Sequence, residues 1–339
     1  MFQTVARPTH PAPLQIVTSA DDWRAVAPPL DQRDHLDHLD HLDLDEPFVN
    51  AAGSAARLLP PAVHDALVAF ADRGHRSGAL LIRGVDVGAV PPTPPRPAAH
   101  RPEHRRSEFA LLTVARRLGQ PVGYAPEHGG HVVQDIVPTP ESTGRQVSTS
   151  SDVELMFHTE TAFHPHRPRY LLLLCLRGDP AAATTLASVH ELVRHLDPRT
   201  VAIMFEPRFR TAVDESFLGG RTNELGPPRP LLEGTVDEPS FVFDADLMVG
   251  TDTEADATVR EVAELISHHH ASVVLEAGDL LVIDNNLAVH GRSPFTPRFD
   301  GTDRWLQRTF VVPDLAPSAG ERTGRVITTV FGRDAILGA

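Results

Sequence analysis

His158-Thr159-Glu160 and the distant His290 supply two imidazoles and one carboxylate. On one face of a cation that donor set leaves the opposite face open, the arrangement that non-haem Fe(II) uses in oxygen chemistry. In an extended chain, residues i and i+2 point to the same side. His158 and Glu160 can therefore reach one metal if the backbone is extended there, with Thr159 directed away. His290 has to fold in alongside. It follows Leu280-Leu281-Val282-Ile283, an apolar run that reads as a buried strand, and Asn285-Asn286, which reads as a turn. A lone His-x-Glu is a weak signal in a chain with 19 histidines, so its company decides its meaning.

That company is a pair of arginines. Arg304 lies 14 residues after His290, and Arg308 lies four beyond it. A guanidinium fork binds a carboxylate in a bidentate way, as a dicarboxylate cosubstrate would require. With Phe157 to Pro165 and the run Leu174-Cys175-Leu176-Arg177, these residues resemble the clavaminate synthase-like branch of the taurine dioxygenase superfamily. More narrowly they resemble its free L-amino acid hydroxylases, which act on arginine, lysine and asparagine. The resemblance covers roughly residues 75 to 312. It implies Fe(II) on His158, Glu160 and His290, with 2-oxoglutarate at Arg304 and O2 as the second cosubstrate. It also implies that Ser148, Glu160 and Arg308 hold the head of an amino acid. Asp244 and Asp246, with Glu127 as a third candidate, would face a basic side chain. The i, i+2 spacing of the two aspartates puts them on one side if that backbone is extended, and the competing reading is a pair of turn acids.

The implied activity is hydroxylation, in the C3 or C4 region, of a free basic or ureido amino acid such as lysine, arginine or citrulline. Specialised-metabolite (antibiotic) biosynthesis is the expected setting. Related halogenases carry a small residue in place of the carboxylate, so Glu160 favours hydroxylation. Desaturation of the same substrates stays open. So do two other readings, a zinc hydrolase or isomerase and a non-catalytic binding protein of the same fold.

The elements that must position these residues are mostly short strands. From Gly119 onward, short apolar runs alternate with turns: Val132 to Val137, Tyr170 to Leu176, Phe209 to Val213, Phe241 to Phe243, Val273 to Leu275, Leu280 to Ile283 and Thr309 to Val312. Such spacing indicates an all-β sandwich or barrel. Helical patterns interrupt it at Ser188 to His195, Thr200 to Phe205 and Thr253 to His270, and precede it at Ala62 to Arg76 and Phe109 to Leu118. Gly78 to Gly84 reads as a strand, and Pro91 to Pro102 as an irregular connection. No domain boundary shows, so residues 1–339 read as one mainly β domain with helices outside it and an irregular start over about 1–60. The resemblance implies a double-stranded β-helix, or jelly roll.

Composition narrows the setting. Hydrophobic residues are 41% and aromatic residues 6%, so the core is built from Leu, Val, Ala and Ile. The single Cys175 excludes an internal disulfide and fits a reducing cytoplasm. No apolar stretch has the length of a membrane span, and the start lacks a signal-peptide core. A net charge of −14 argues against nucleic acid or anionic membrane as partner. Nothing in the sequence fixes an oligomeric state. Two conspicuous histidine runs read as inert. Asp34 to Asp43, with Leu at every third position, suits a solvated segment or the lead-in to a helix. His268-His269-His270 closes a predicted helix, where adjacent side chains diverge and imidazoles suit the last carbonyls. His128 and His131 lie in a glycine-rich loop where a role over substrate and a plain loop are both open. His164 and His166 read as shaping the site.

Overall fold

The computed structural model describes residues 10–27, 41–97 and 105–333, with the side chains of 41–45 and 105 left aside. The strands are, in chain order, β1 (Leu14–Val17), β2 (Ala79–Arg83), β3 (Gln120–Tyr124), β4 (Gln134–Ile136), β5 (Leu155–His158), β6 (Tyr170–Arg177) and β7 (Ala183–Ser188). They continue with β8 (Phe209–Thr211), β9 (Leu232–Gly234), β10 (Pro239–Phe241), β11 (Met248–Gly250), β12 (Ala271–Val274), β13 (Leu280–Asp284), β14 (Ala288–Arg292), β15 (Trp305–Val312), β16 (Arg322–Thr323) and β17 (Val326–Ile327). The helices are α1 (His41–Ala55), α2 (Pro61–Arg73), α3 (Arg105–Leu118), α4 (Val189–Leu192), α5 (Pro198–Met204), α6 (Glu215–Leu218) and α7 (Thr253–His268).

Two sheets carry the molecule. The larger runs β1-β2-β13-β6-β15-β3-β17-β16, with β4 also paired to β15, and the smaller runs β12-β7-β14-β5. Side chains of successive strand residues point to opposite faces, and β6 shows what each face meets. Leu172, Leu174 and Leu176 join a core with α1, α2 and α3, whereas Leu171, Leu173 and Cys175 pack between the sheets with Leu186 and Ala288. Burial on both faces is why this strand reads as a continuous apolar run rather than an alternating one. On β15 the division is functional. Trp305 and Val311 face the helices, while Leu306 and Phe310 face the other sheet beside Arg308. Outside the smaller sheet, α5 and α7 bury Met204, Val259, Val262 and Ile266 against Ala187 and Val289.

Several expectations are corrected. The described part of the first sixty residues is not irregular, since β1 pairs in parallel with β2 and α1 packs on α3 through Phe48 and Phe109. The Asp34–Asp43 repeat lies outside the described residues except where α1 begins at His41. Strands β3, β7 and β14 carry too few apolar residues in a row to stand out. The Ser188–His195 helix is only the four-residue α4. The triplet at the end of α7 behaves as its position requires: His268 and His270 place Nδ1 2.7 and 3.1 Å from the carbonyls of Glu264 and Ile266. Among the described residues no helix is long and apolar enough to cross a membrane.

Candidate active site

The smaller sheet brings the separated ligand candidates together. Strands β5 and β14 pair antiparallel with His158 opposite His290, and the two rings lie 4.3 Å apart, centroid to centroid. Glu160 sits just beyond the end of β5, in the turn that follows, with Oε2 3.5 Å from His290 Nε2. One ligand atom from each residue lies within 4.8 Å of the others, and this is the sole such group of three among the described residues. His158 Nδ1 is 2.8 Å from the Met156 carbonyl. A carbonyl only accepts, so Nδ1 carries the proton and Nε2 keeps its lone pair.

Electrostatics favours the ligand forms. Burial alone would raise Glu160, but Arg308 and the imidazoles of His290 and His158 outweigh it and hold the carboxyl at about 2. Burial, together with the neighbouring His158, lowers His290 to about 4. At neutral pH the group is therefore a carboxylate with a neutral His290, the state a metal requires. Glu160 Oε2 is buried without a hydrogen-bond partner. An unsatisfied buried carboxylate oxygen is costly, so the donor set and its orphaned atom both fit a divalent cation.

Backbone hydrogen bonds fix where Glu160 stands. The fully buried Asn285 side chain accepts from Glu160 N–H at 2.8 Å and donates to the Glu160 carbonyl at 3.1 Å and the Pro168 carbonyl at 2.9 Å. The sequence showed this residue only as a turn former. β5 is the last strand of its sheet, and its free edge is strapped by the chain at Phe243–Ala245. Thr159 N–H donates to the Phe243 carbonyl at 2.7 Å, and Ala245 N–H to the Phe157 carbonyl at 3.0 Å. The Thr159 hydroxyl accepts from Phe243 N–H at 3.0 Å, so Thr159 does point away from the ligand cluster.

The two arginines differ in kind. Arg308 is buried and paired with acids. It donates Nε to Gln134 Oε1 at 3.0 Å and pairs with Glu127, while Nη1 lies 3.5 Å from Glu160 Oε1. Arg304 is buried as well, yet no carboxylate among the described residues lies within ion-pair distance of it. A buried guanidinium without a counter-charge costs several kcal/mol, and an incoming carboxylate offsets that cost. Thr184 on β7 lines the same cavity with its hydroxyl buried and unpartnered. It offers a further hydrogen-bond donor there, and nothing in its sequence setting singles it out.

A cavity of about 690 Å³ is lined by His158, Glu160, His290, Arg304, Arg308 and Thr184, and Ser148, Glu127, Asp244 and Asp246 line it too. Residues Ala245–Leu247 form a turn, not the extended backbone on which the aspartate spacing was argued. Asp244 Oδ1 accepts from the N–H groups of Asp246 and Leu247, each at 2.9 Å. Asp244 thus serves as a turn acid and still faces the cavity. Asp214 is a third aspartate in the wall, and it caps α6 through Ser216 N–H at 2.8 Å. Burial in particular, with Glu160 nearby, pushes Glu127 up to about 7 against the pull of Arg308. His128 also lines the cavity, in the left-handed region with φ 47°. His164 is buried away from the ligand cluster, in contact with Tyr124, Phe163 and Phe331.

A family model described as "Taurine catabolism dioxygenase TauD, TfdA family" matches residues 48–211 and 229–310. The chain is 43% identical over 295 residues to an L-lysine 3-hydroxylase of Catenulispora acidiphila, covering 84% of this chain and 81% of that one. It is similar to the structure of an asparagine oxygenase in complex with Fe(II), 2S,3S-3-hydroxyasparagine and succinate, with TM-score 0.83, 34% identity and coverage of 92% and 98%. It is also similar to the non-heme iron oxygenase OrfP in complex with Fe and alpha-ketoglutaric acid, with TM-score 0.79, 32% identity and coverage of 92% and 99%.

Proposed function

The chain belongs to the TauD, TfdA family of dioxygenases, and on that premise we propose that it is an Fe(II)- and 2-oxoglutarate-dependent oxygenase that hydroxylates the side chain of a free basic L-amino acid. The observation that carries this reading is the pairing, in one cavity, of the buried His158-Glu160-His290 cluster with an Arg304 that has no carboxylate within ion-pair distance among the described residues. We take the whole chain as one oxygenase domain with a double-stranded β-helix core.

His158, Glu160 and His290 would hold the iron, and Arg304 with the Thr184 hydroxyl would hold the far carboxylate of 2-oxoglutarate. When bound, iron with 2-oxoglutarate and O2 supplies the power to place one oxygen atom in a substrate C–H bond, with succinate and CO2 released. The rest falls to the protein, which orients the substrate and excludes water. Arg308 and Ser148, both in the cavity wall, would bind the α-carboxylate. The carboxylates of Glu127 and Glu160 are placed to accept from the α-ammonium. Asp214, Asp244 and Asp246 supply counter-charge to a cationic side chain, since a buried ammonium or guanidinium needs one. Asp214 and Asp244 each spend one oxygen on a helix cap or a turn, which fixes the direction of the other.

The relatives named for lysine and asparagine oxidation set the range to be tested. The decisive experiment supplies ferrous iron and 2-oxoglutarate with each of the twenty common amino acids, citrulline and ornithine, and measures succinate. The new oxygen is then located by NMR. A basic amino acid is expected to stimulate succinate release most strongly. Succinate at background level with every amino acid would remove the oxygenase reading.

A further inference from the structure

Arg292 is the third buried arginine of the cavity wall, and the assignments above give it nothing to do. It stands on β14 two residues beyond His290, and both side chains line the cavity. Its side chain is buried, and among the described residues no carboxylate lies within ion-pair distance. Its guanidinium serves a loop instead. Nη1 donates to the Ser150 carbonyl, and Nη2 donates to the Ser150 hydroxyl at 3.3 Å and the Val153 carbonyl at 2.9 Å. Nε donates to the carbonyl of the next residue, Ser293, at 3.2 Å.

That loop carries Ser148 into the cavity wall. Its buried root, Ser150-Ser151, is further tied by Phe295 N–H to the Ser151 carbonyl at 2.8 Å. Arg292 also stands close to the cosubstrate end of the cavity, where burial above all, then Arg304, pulls it down to about 10. A neutral side chain would fill this space without the desolvation cost of a cation. Only a guanidinium offers a planar fork that reaches two backbone carbonyls three residues apart.

We propose that Arg292 is a positioning residue, a strut that holds the Ser148 loop against the strand bearing His290 and so sets the amino acid's head-group subsite relative to the metal. The proposal rests on Ser148 contacting the head group, as read above. Among the described residues, nothing else anchors that loop to the strand bearing His290 by side-chain bonds of comparable burial.

The test compares the full-length Arg292→Gln and Arg292→Lys proteins with wild type. The first readout needs no substrate: hydrogen exchange across residues 142–153 of the metal-free protein. Loss of the fork is expected to speed it about tenfold or more in Arg292→Gln, with β6 and β13 unchanged, and Arg292→Lys is expected to recover part of the protection. The second readout is kinetic. In Arg292→Gln the KM for the amino acid is expected to rise about tenfold, with more succinate formed per hydroxylated product. The KM for 2-oxoglutarate and amino acid-independent succinate release are expected to stay as in wild type.

Unchanged loop exchange in both variants overturns the proposal. So does a loosened loop with unaltered amino acid KM and coupling, which would make Arg292 merely structural. A rise confined to the 2-oxoglutarate KM would make it a cosubstrate ligand. Should Arg292→Gln fail to fold, Arg292→Lys carries both readouts, since one ammonium cannot span the two carbonyls. If wild type turns over no amino acid, the functional reading fails, and the exchange experiment still decides whether the strut exists.

Discussion

Replacing Asn285 by alanine tests how a buried amide that touches no substrate governs the metal site. The side chain makes three hydrogen bonds, to Glu160 N–H, to the Glu160 carbonyl and to the Pro168 carbonyl. All three partners are backbone groups beside a fully buried residue. Removing the amide leaves each without its mate, at about 1–3 kcal/mol apiece, so Asn285→Ala should destabilise the metal-free protein by about 3–9 kcal/mol. That is a large share of the roughly 5–15 kcal/mol that holds a typical domain together. The loss should also reach the metal. Glu160 is held from its backbone by Asn285 and from its side chain by Arg308, and with the backbone freed the carboxylate samples other directions. Affinity for Fe(II), or for Co(II) as an air-stable probe, should fall about 10–100-fold, as for other residues that orient a ligand. Equilibrium urea unfolding of the metal-free protein and anaerobic metal titration measure the two effects separately. Unfolding within about 1 kcal/mol of wild type, less than even one stranded group should cost, would refute the hydrogen-bond accounting. Lost stability with wild-type metal affinity would show that Arg308 alone aims the carboxylate.

Other perturbations separate the parts of the site. His158→Ala should abolish iron-dependent turnover and metal binding together, and wild-type rates in that variant would place the metal elsewhere. Arg304→Met should raise the KM for 2-oxoglutarate about 30-fold or more, the scale of a lost buried charge pair. Because no carboxylate among the described residues pairs with Arg304, the same variant should unfold no more easily than wild type; a marked loss of stability in urea would reveal a counter-ion. Asp246→Asn should cut kcat/KM for a cationic amino acid about 30-fold while sparing a neutral one such as citrulline, and equal losses on both would remove its counter-charge role. Asp252 caps α7 and pairs with Arg208, whose hydrogen bonds are the main reason its carboxyl falls from 3.8 to about 2. A depressed folded value means that its stabilisation is complete above 3.8 and is lost as pH falls towards 2. Asp252→Ala should therefore lower Tm at pH 7 but not near pH 2, and a pH-independent difference would contradict the linkage.

The sequence made some parts of this molecule plain because they depend on residue type at fixed spacing. Strands β6, β13 and β15 are covered on both faces, so their apolar runs stand out unaided. The metal candidates showed because an i, i+2 pair needs only local geometry, and Arg304 because the strand that follows it is apolar. What stayed hidden depends on contacts across the chain. β14 reads Ala-Val-His-Gly-Arg, with too little apolar character to announce a strand, yet it carries both His290 and Arg292. Asn285 reads as a turn residue until Glu160, 125 positions away, is folded against it. Thr184 and Asp214 have ordinary types in ordinary settings, and only the cavity reveals them. The extended backbone expected at Asp244–Asp246 is a turn because Asp244 itself bonds the N–H groups of Asp246 and Leu247. An aspartate with two free N–H groups just ahead of it has that local alternative to a strand.

The strap along the edge of β5 has a consequence for which carbon is oxidised. The chain that bonds Phe157 and Thr159 through Phe243 and Ala245 is the chain that presents Asp244 and Asp246. The proposed anchor for the far end of the substrate would thus be fastened, within a few bonds, to the strand that holds His158. The gap between them is a fixed span that side-chain motion cannot stretch. A molecule gripped at its head by Arg308 and at its tail by these acids is measured against a rigid gauge. Shortening it by one methylene, from lysine to ornithine, slides a different carbon to the reacting position or breaks one of the two grips. Regiochemistry then becomes a property of length, to be retuned by moving the tail anchor rather than by altering the metal.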